Sequence, residues 1–192
     1  KLIKGISSMS NISLLNIQGS GLLGVVGASM RLFATLAREK INVILISQAS
    51  SEHSICIAIE SQFATDAKSA IEREFQNEIR NEEVDEVNVE NELSIVAVVG
   101  DGMKHSPGTS GRMFAALGKN GVNVSAIAQG SSERNISAVI RTADVAKALN
   151  ALHEAFFLSD RKVLNIFLVG TGLIGKTLVG MIGEQFGKLA SQ

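Results

Sequence analysis

Residues 12–59 and 93–140 are one segment written twice, in register and without a gap, at an offset of 81. Ser13/Ser94, Gly19/Gly100, Gly21/Gly102, Gly27/Gly108, Arg31/Arg112, Phe33/Phe114, Asn42/Asn123 and Gln48/Gln129 all match. So do Ser50-Ser51-Glu52 and Ser131-Ser132-Glu133. Such a chain must fold as two copies of one small unit. Core packing alone would keep Phe33 and Leu36, but it has no use for a Gln followed closely by Ser-Ser-Glu. The repeat therefore points to a site held in two copies.

Each copy reads strand, glycine-rich turn, helix, strand, short turn, strand, helix. In the first, residues 12–17 form an apolar run of strand length, and Gly19, Gly21, Gly24 and Gly27 punctuate the turn after it. Met30, Phe33, Leu36 and Ala37 then fall at helical spacing, which predicts one buried face. Residues 41–46 and 54–59 read as the next two strands, and Ala67, Ile71, Phe75 and Ile79 mark the second helix. In the second copy the strands fall at 93–99, 122–128 and 135–140, with helices after Gly108 and from about residue 143 to 157.

The strand count is uneven. The first copy has a credible fourth strand in residues 84–89, whereas the second has none before the polar break at Ser159-Asp160-Arg161. The spare strand lies at the other end, in residues 2–8. The economical solution lets the opening segment complete the second copy's sheet, so that the first copy is inserted in the second. This predicts an α+β fold of two ferredoxin-like βαββαβ units, each an antiparallel sheet with helices on one face and the other face free. The units are residues 9–91, inserted, and residues 1–8 plus 92–160.

A different signal begins at residue 163. Val-Leu-Asn-Ile-Phe-Leu-Val runs into Gly170-Thr-Gly172-Leu-Ile-Gly175 and then an apolar helix pattern from 176 to 186. Strand, GxGxxG and helix in that order is the opening of a dinucleotide-binding fold. The acidic residue expected about 20 positions later is missing. Residues 161–192 therefore read as the truncated start of a Rossmann-type domain, not a complete cofactor site.

Several function classes are poorly supplied. With 18 basic against 19 acidic residues, no surface is dedicated to neutralising phosphates. Trp and Tyr are absent and Phe totals 8, so bases would find few stacking partners, and no nucleic-acid partner is expected. Cys56 is the sole cysteine and reads as a small buried hydrophobe, while His53, His105 and His153 have no ligand spacing, so no metal site is expected. No run reaches the roughly 18 apolar residues of a membrane helix, and no signal-peptide pattern opens the chain. We read it as a cytoplasmic part of a longer protein.

The repeated polar residues suit a free amino acid. A glycine turn opening a helix presents unpaired N–H groups and partial positive charge, a natural carboxylate cradle. Gly27 and Gly108 sit in such turns, Asn42 and Asn123 early in the following strand, and Gln48 and Gln129 at its end. Side-chain amides both donate and accept, which suits a zwitterion. Turn geometry alone would also account for the glycines and asparagines. Ser-Ser-Glu reads as a turn, and Arg31 and Arg112 read as solvated or interface charges. No nucleophile–base constellation is present, so no catalytic residue is assigned.

At Lys4-Gly5-Ile6-Ser7, Ile41-Asn42-Val43-Ile44-Leu45-Ile46-Ser47-Gln48-Ala49-Ser50-Ser51-Glu52, Val98-Val99-Gly100-Asp101-Gly102-Met103 and Ala126-Ile127-Ala128-Gln129-Gly130-Ser131-Ser132-Glu133, the chain resembles the ACT-domain family. It looks most like the regulatory region of aspartokinases, and the tail narrows the resemblance to bifunctional aspartokinase–homoserine dehydrogenases. The resemblance implies that threonine binds the ACT pair as a feedback inhibitor, with effector contacts at Gln48, Gln129, Asn42, Asn123, Gly27 and Gly108. It implies a homo-oligomer formed through ACT units, and kinase and dehydrogenase domains in the same chain. ATP with Mg and NADP or NAD would serve those domains, with Gly170, Gly172 and Gly175 in the nicotinamide site, and none would bind this segment by itself. The second copy keeps Pro107-Gly108 before its helix, whereas the first reads Val26-Gly27 with no acid in its loop. The alternative is a substrate domain of an NAD(P)-dependent oxidoreductase.

Overall fold

The computed structural model describes residues 3–20, 27–49, 54–103, 106–130, 134–158, 169–170 and 172–189. The chain divides into two compact units, Lys1–Leu158 and Ser159–Gln192. In the first unit, β1 (Gly5–Gln18) leads to α1 (Ala28–Arg38), β2 (Leu45–Ala49), β3 (Ser54–Glu60), α2 (Ala64–Glu74) and α3 (Gln76–Arg80). The order then repeats with β4 (Asn88–Val99), α4 (Thr109–Lys119), β5 (Ala126–Gln129), β6 (Asn135–Arg141) and α5 (Val145–Phe157). The six strands form one antiparallel sheet in the order β2-β3-β1-β4-β6-β5.

Two strands hold both copies. β1 has 14 residues and β4 has 12, where an ordinary strand has about five or six. The start of β1 pairs with the end of β4, from Gly5↔Val99 to Met9↔Ile95. The rest of β1 pairs with β3, from Ile12↔Glu60 to Gln18↔Ser54, and the end of β4 pairs with β6. The opening segment thus completes the second copy's sheet, and Asn88–Glu90 completes the first's through its pairing with Leu14–Asn16. What reads in sequence as four short strands is two long ones. Val84 and Val87 precede β4 and are buried in the first core as part of the link.

Each long strand bends once. Asn11 (φ 61) and Glu92 (φ 59) occupy the left-handed region, and the β1–β4 register shifts on either side of Ile12. These two residues are equivalents at the repeat offset. The bends have a large consequence. In a flat sheet β2 and β5 would lie five steps of about 4.8 Å apart, roughly 24 Å, yet they pack against each other. The sheet is curled back on itself.

Curling buries both faces. On the helix side, Leu15, Ile17, Ile57 and Ile59 meet Leu32, Leu36, Ile71 and Phe75, while Val96, Val98 and Ile140 meet Met113, Leu117 and Leu152. The alternate residues Ile12, Leu14, Leu45, Ala58, Leu93, Ile95, Ala126 and Val139 form a third apolar cluster on the opposite face. The expectation of a free sheet face is therefore wrong. The period-2 alternation is real, but the bends turn the second set of apolar side chains against one another.

Helix α1 is also rotated from the expected face. It buries Ala28, Leu32, Thr35 and Leu36, while Met30 is 69% exposed. Helix α4 buries the equivalent positions Thr109, Met113 and Leu117, so the same face is turned to the sheet in both copies. In the second unit α6 spans Leu173–Leu189, preceded by Gly170 at φ 99. The strand expected over 163–169 lies almost wholly outside the described residues.

Ile3 is buried in the second copy's core. Ile3→Ala is expected to cost about 2–4 kcal/mol, with hydrogen exchange rising in β6 before β3. At Glu92, replacement by Gly should be neutral or stabilising, whereas Glu92→Val should cost about 1–2 kcal/mol or more, because a β-branched side chain resists positive φ. Urea unfolding of the two variants measures the difference.

Candidate functional site

In the second copy, Gln129 ends β5 and is exposed. Its Oε1 accepts a hydrogen bond from Ser110 Oγ at 2.9 Å. Ser110 lies in the first turn of α4, whose N-cap is Gly108 in the left-handed conformation at φ 85. That turn carries no acidic residue and no side-chain cap, so its first N–H groups have no such partner. Thr109 is instead buried, donating from Oγ1 to Ser106 O at 3.1 Å. A side-chain amide and a hydroxyl thus stand beside the electropositive end of a helix. The acid after Gly100 is Asp101, held by Lys4 in an exposed ion pair. That pairing keeps the carboxyl below its usual range.

The first copy repeats the frame. Gly27 caps α1 at φ 97, again with no acidic residue in the first turn and no side-chain cap. Gln48 lies on β2, exposed, opposite Ile55. Residues 21–26 and 50–53 are outside the described residues, as are 131–133, so the Ser-Ser-Glu turns have no structural account. Gly19 has a purely structural reason to be glycine. A Cβ there would stand 2.3 Å from Glu83 O, where the chain crosses the end of β1.

Asn42 and Asn123 are exposed, as a ligand contact requires, but they do not lie in strands. β2 and β5 are edge strands, and their first ladder bonds come later, from Ile44 N to Ala58 O and from Ser125 N to Val139 O, each 2.8 Å. The asparagines belong to the links that enter those strands. Cys56 is half-buried, and burial first, then the charge of Glu90, push its thiol pKa up. Among the described residues no three His, Cys, Asp or Glu side chains gather as a metal site. No helix among them is long and apolar enough to cross a membrane.

Two polar features were not foreseen. Ser13 and Ser94 are fully buried at equivalent points of β1 and β4. Ser13 Oγ donates to Asn91 Oδ1 at 2.6 Å and lies 2.9 Å from Ser61 Oγ. Ser94 Oγ lies 2.9 Å from Thr142 Oγ1 and 3.3 Å from Ser10 Oγ. These bonds tie the long strands together where they bend, and a serine kept twice within an apolar run was the available signal. Arg31 is the second feature. It is not a solvated charge, since its Nε donates to Glu74 Oε1 at 3.0 Å, its Nη1 to Glu78 and its Nη2 to Glu74 O at 2.7 Å. The guanidinium also stands over the Phe75 ring at 4.5 Å.

This clamp has a pH signature. The Arg31 hydrogen bonds are the main reason that Glu74 and Glu78 titrate below their ordinary 4.5. A depressed carboxyl stabilises the fold above its unfolded pKa, and that stabilisation is lost as pH falls through the folded value. Arg31→Ala is expected to cost about 1–2 kcal/mol at neutral pH. The penalty should shrink below about pH 4.5, as read by thermal unfolding of both proteins across that range.

The ACT-domain family profile matches residues 15–75 and again residues 96–156. The chain is 40% identical over 190 residues to a bifunctional aspartokinase/homoserine dehydrogenase of Haemophilus influenzae, covering 99% of this chain and 23% of that protein. The chain thus spans about a quarter of that relative's length. Among solved structures, Clostridium acetobutylicum aspartate kinase superposes with a TM-score of 0.71 at 27% identity, over 80% of this chain and 34% of that one. Escherichia coli aspartokinase III, solved in complex with lysine and aspartate in a T-state, shares the fold with a TM-score of 0.63 at 24% identity, over 81% and 33%. With its two copies both matched, this chain belongs to the ACT-domain family.

Proposed function

We propose that this chain is the regulatory region of a bifunctional aspartokinase–homoserine dehydrogenase and binds free threonine as a feedback inhibitor. The observation that carries this reading is the Gln129–Ser110 pair beside the open first turn of α4. A threonine carboxylate would take the helix N–H groups, and Gln129 would bridge its ammonium or hydroxyl. Gln48, Ser29 and Gly27 repeat those residue types in the first copy, where Val26-Gly27 replaces Pro107-Gly108, so the two copies would bind unequally. Asn42 and Asn123 would line the same pockets from the links before β2 and β5.

Support for an amino-acid effector comes from the kind of relatives the chain has, bifunctional aspartokinase/homoserine dehydrogenases among them. Aspartokinase III, which shares this fold over a third of its length, was solved in complex with lysine and aspartate. In this reading catalysis lies elsewhere in the larger protein. ATP and Mg would serve its kinase domain, and NADP or NAD its dehydrogenase domain, where Gly170, Gly172 and Gly175 would form the first phosphate-binding turn. Gly170 at φ 99, followed by a helix with a bond from Lys176 N to Gly172 O, fits such a turn. Ile46 and Ile127, equivalent residues on the edge strands, are 50% and 45% exposed and offer a surface for a second copy. Effector binding would act by biasing two arrangements of the assembly, and a coupling of about 1–3 kcal/mol suffices.

Calorimetry against threonine, lysine and methionine tests the reading, with a nicotinamide titration separating it from an oxidoreductase substrate domain. Gln129→Ala removes a hydrogen bond worth about 1.5–3 kcal/mol to a charged partner. Threonine affinity should then fall about tenfold or more. Gln48→Ala should weaken the first copy's site in the same way. In the whole enzyme both changes should relieve threonine inhibition while uninhibited turnover is retained. Parental threonine affinity in the double variant would show the pocket to be elsewhere.

A further inference from the structure

The inner face of the curled sheet carries a feature that the effector reading does not use. Strand register sets Ser47, Cys56, Asn16 and Asn88 side by side across four strands, through Ser47↔Cys56, Asn16↔Cys56 and Asn16↔Asn88. Glu90 and Ser125 close the same pocket, a cavity of about 250 Å³. Its equivalent at the repeat offset also exists, at about 160 Å³. There the row reads Ala128, Ser137, Ala97 and Ser7, paired in the same way, with Met9 in place of Glu90 and Ile44 in place of Ser125. One scaffold, kept twice, lines one pocket with amides, hydroxyls and a carboxylate and the other with small and apolar groups.

Divergence in a kept frame is informative because packing accounts for small and apolar groups on this face and not for amides and a carboxylate. Asn16 and Ser47 are half-buried, while Asn88, Glu90 and Ser125 are exposed and open to a ligand. The internal bonds here are weak. Ser125 Oγ reaches Glu90 Oε1 at 3.4 Å, and Asn16 Nδ2 reaches Gln18 Oε1 at 3.4 Å. Among the described residues no Lys or Arg pairs with Glu90. A larger cleft of about 710 Å³ nearby shares Glu90 with this pocket, and several of its other groups are already engaged. Ser61 and Thr142 bond the buried serines, and Arg141 bonds Asp144.

We propose that the pocket formed by Asn16, Ser47, Asn88, Glu90 and Ser125 binds a small aliphatic primary amine. A primary ammonium brings one positive charge and three donors. Glu90 supplies the opposite charge, and the amide and hydroxyl oxygens of the row accept the remaining hydrogens. No lining side chain is cationic, so a carboxylate entering with the amine would face Glu90 without a partner. The site therefore selects amines over amino-acid zwitterions, which separates it from the effector site at Gln129. The cavity volume accommodates a molecule of a few heavy atoms.

Calorimetric titration of the 192-residue chain with ethanolamine tests the proposal, with ethylene glycol as the neutral isostere and tetramethylammonium as the cation lacking donors. Saturable binding of ethanolamine alone is expected. In the NMR spectrum, ethanolamine should shift the side-chain amide signals of Asn16 and Asn88 and leave that of Gln129 in place. Glu90→Gln should weaken binding about tenfold or more, and Asn88→Ala, at an exposed strand position, should weaken it as well. The proposal is overturned if ethanolamine does not bind saturably, if tetramethylammonium binds equally well, or if Glu90→Gln retains parental affinity. Threonine binding is unaffected by either outcome, so this test and that of the effector site fail independently.

Discussion

The antiparallel pairing of β1 with β4 is the constraint on which everything else in the first unit rests. Each of these strands is shared, contributing one half to each copy's sheet. The second copy cannot be cut out as a continuous stretch, because one of its strands is the opening segment, which runs on directly into the first copy. A disturbance of either long strand is therefore felt on both sides of the bend. Ser13 and Ser94 sit at that bend, fully buried, with their hydroxyls bonded across the strands. Leaving such a hydroxyl unpaired costs about 1–3 kcal/mol. These bonds therefore specify the register at the point where the strands pass from one sheet to the other.

The backbone repeats between the copies at several points where the side chains differ. Positive φ occurs at equivalent places, at Asn11 and Glu92, at Gly27 and Gly108, and at Lys40 and Gly121. Of those three pairs, Gly27/Gly108 alone is glycine in both copies, so the fold imposes the conformation and the residue type adapts. The chemistry on that frame has diverged. Arg31 is clamped by Glu74 and Glu78, while its equivalent Arg112, over Phe156 at 5.5 Å, has Ala155 in the place of Glu74. The inner pockets differ in the same sense, one carrying amides and a carboxylate and the other serines and apolar groups.

Much of this was legible in the residues. The repeat and the uneven strand count led to the nested pairing, and alternation along β1, β3, β4 and β6 marked which side chains face the helices. Gln129 was legible as a site candidate because it recurs with its neighbours, and the structure sets it beside Ser110. The rotation of α1 was not legible, because Met30 and Leu32 are equally plausible apolar residues and only packing against the sheet chooses between them. Strand starts at β2 and β5 were misjudged because edge strands begin where a neighbour's carbonyl first accepts, and that depends on register rather than on composition.

The sequence by itself determined the unit, its duplication and the pairing of the opening segment with the second copy, since all three follow from spacing and alternation along the chain. Only the tertiary structure decided what becomes of the sheet's second face. Two left-handed residues, Asn11 and Glu92, bend the shared strands, bring β2 against β5 and bury Leu14, Leu45, Ile95 and Ala126 together. No local pattern encodes that closure. A positive φ at Asn or Glu leaves no mark that sequence can show, and the contacts that reward it join strands at opposite edges of the sheet.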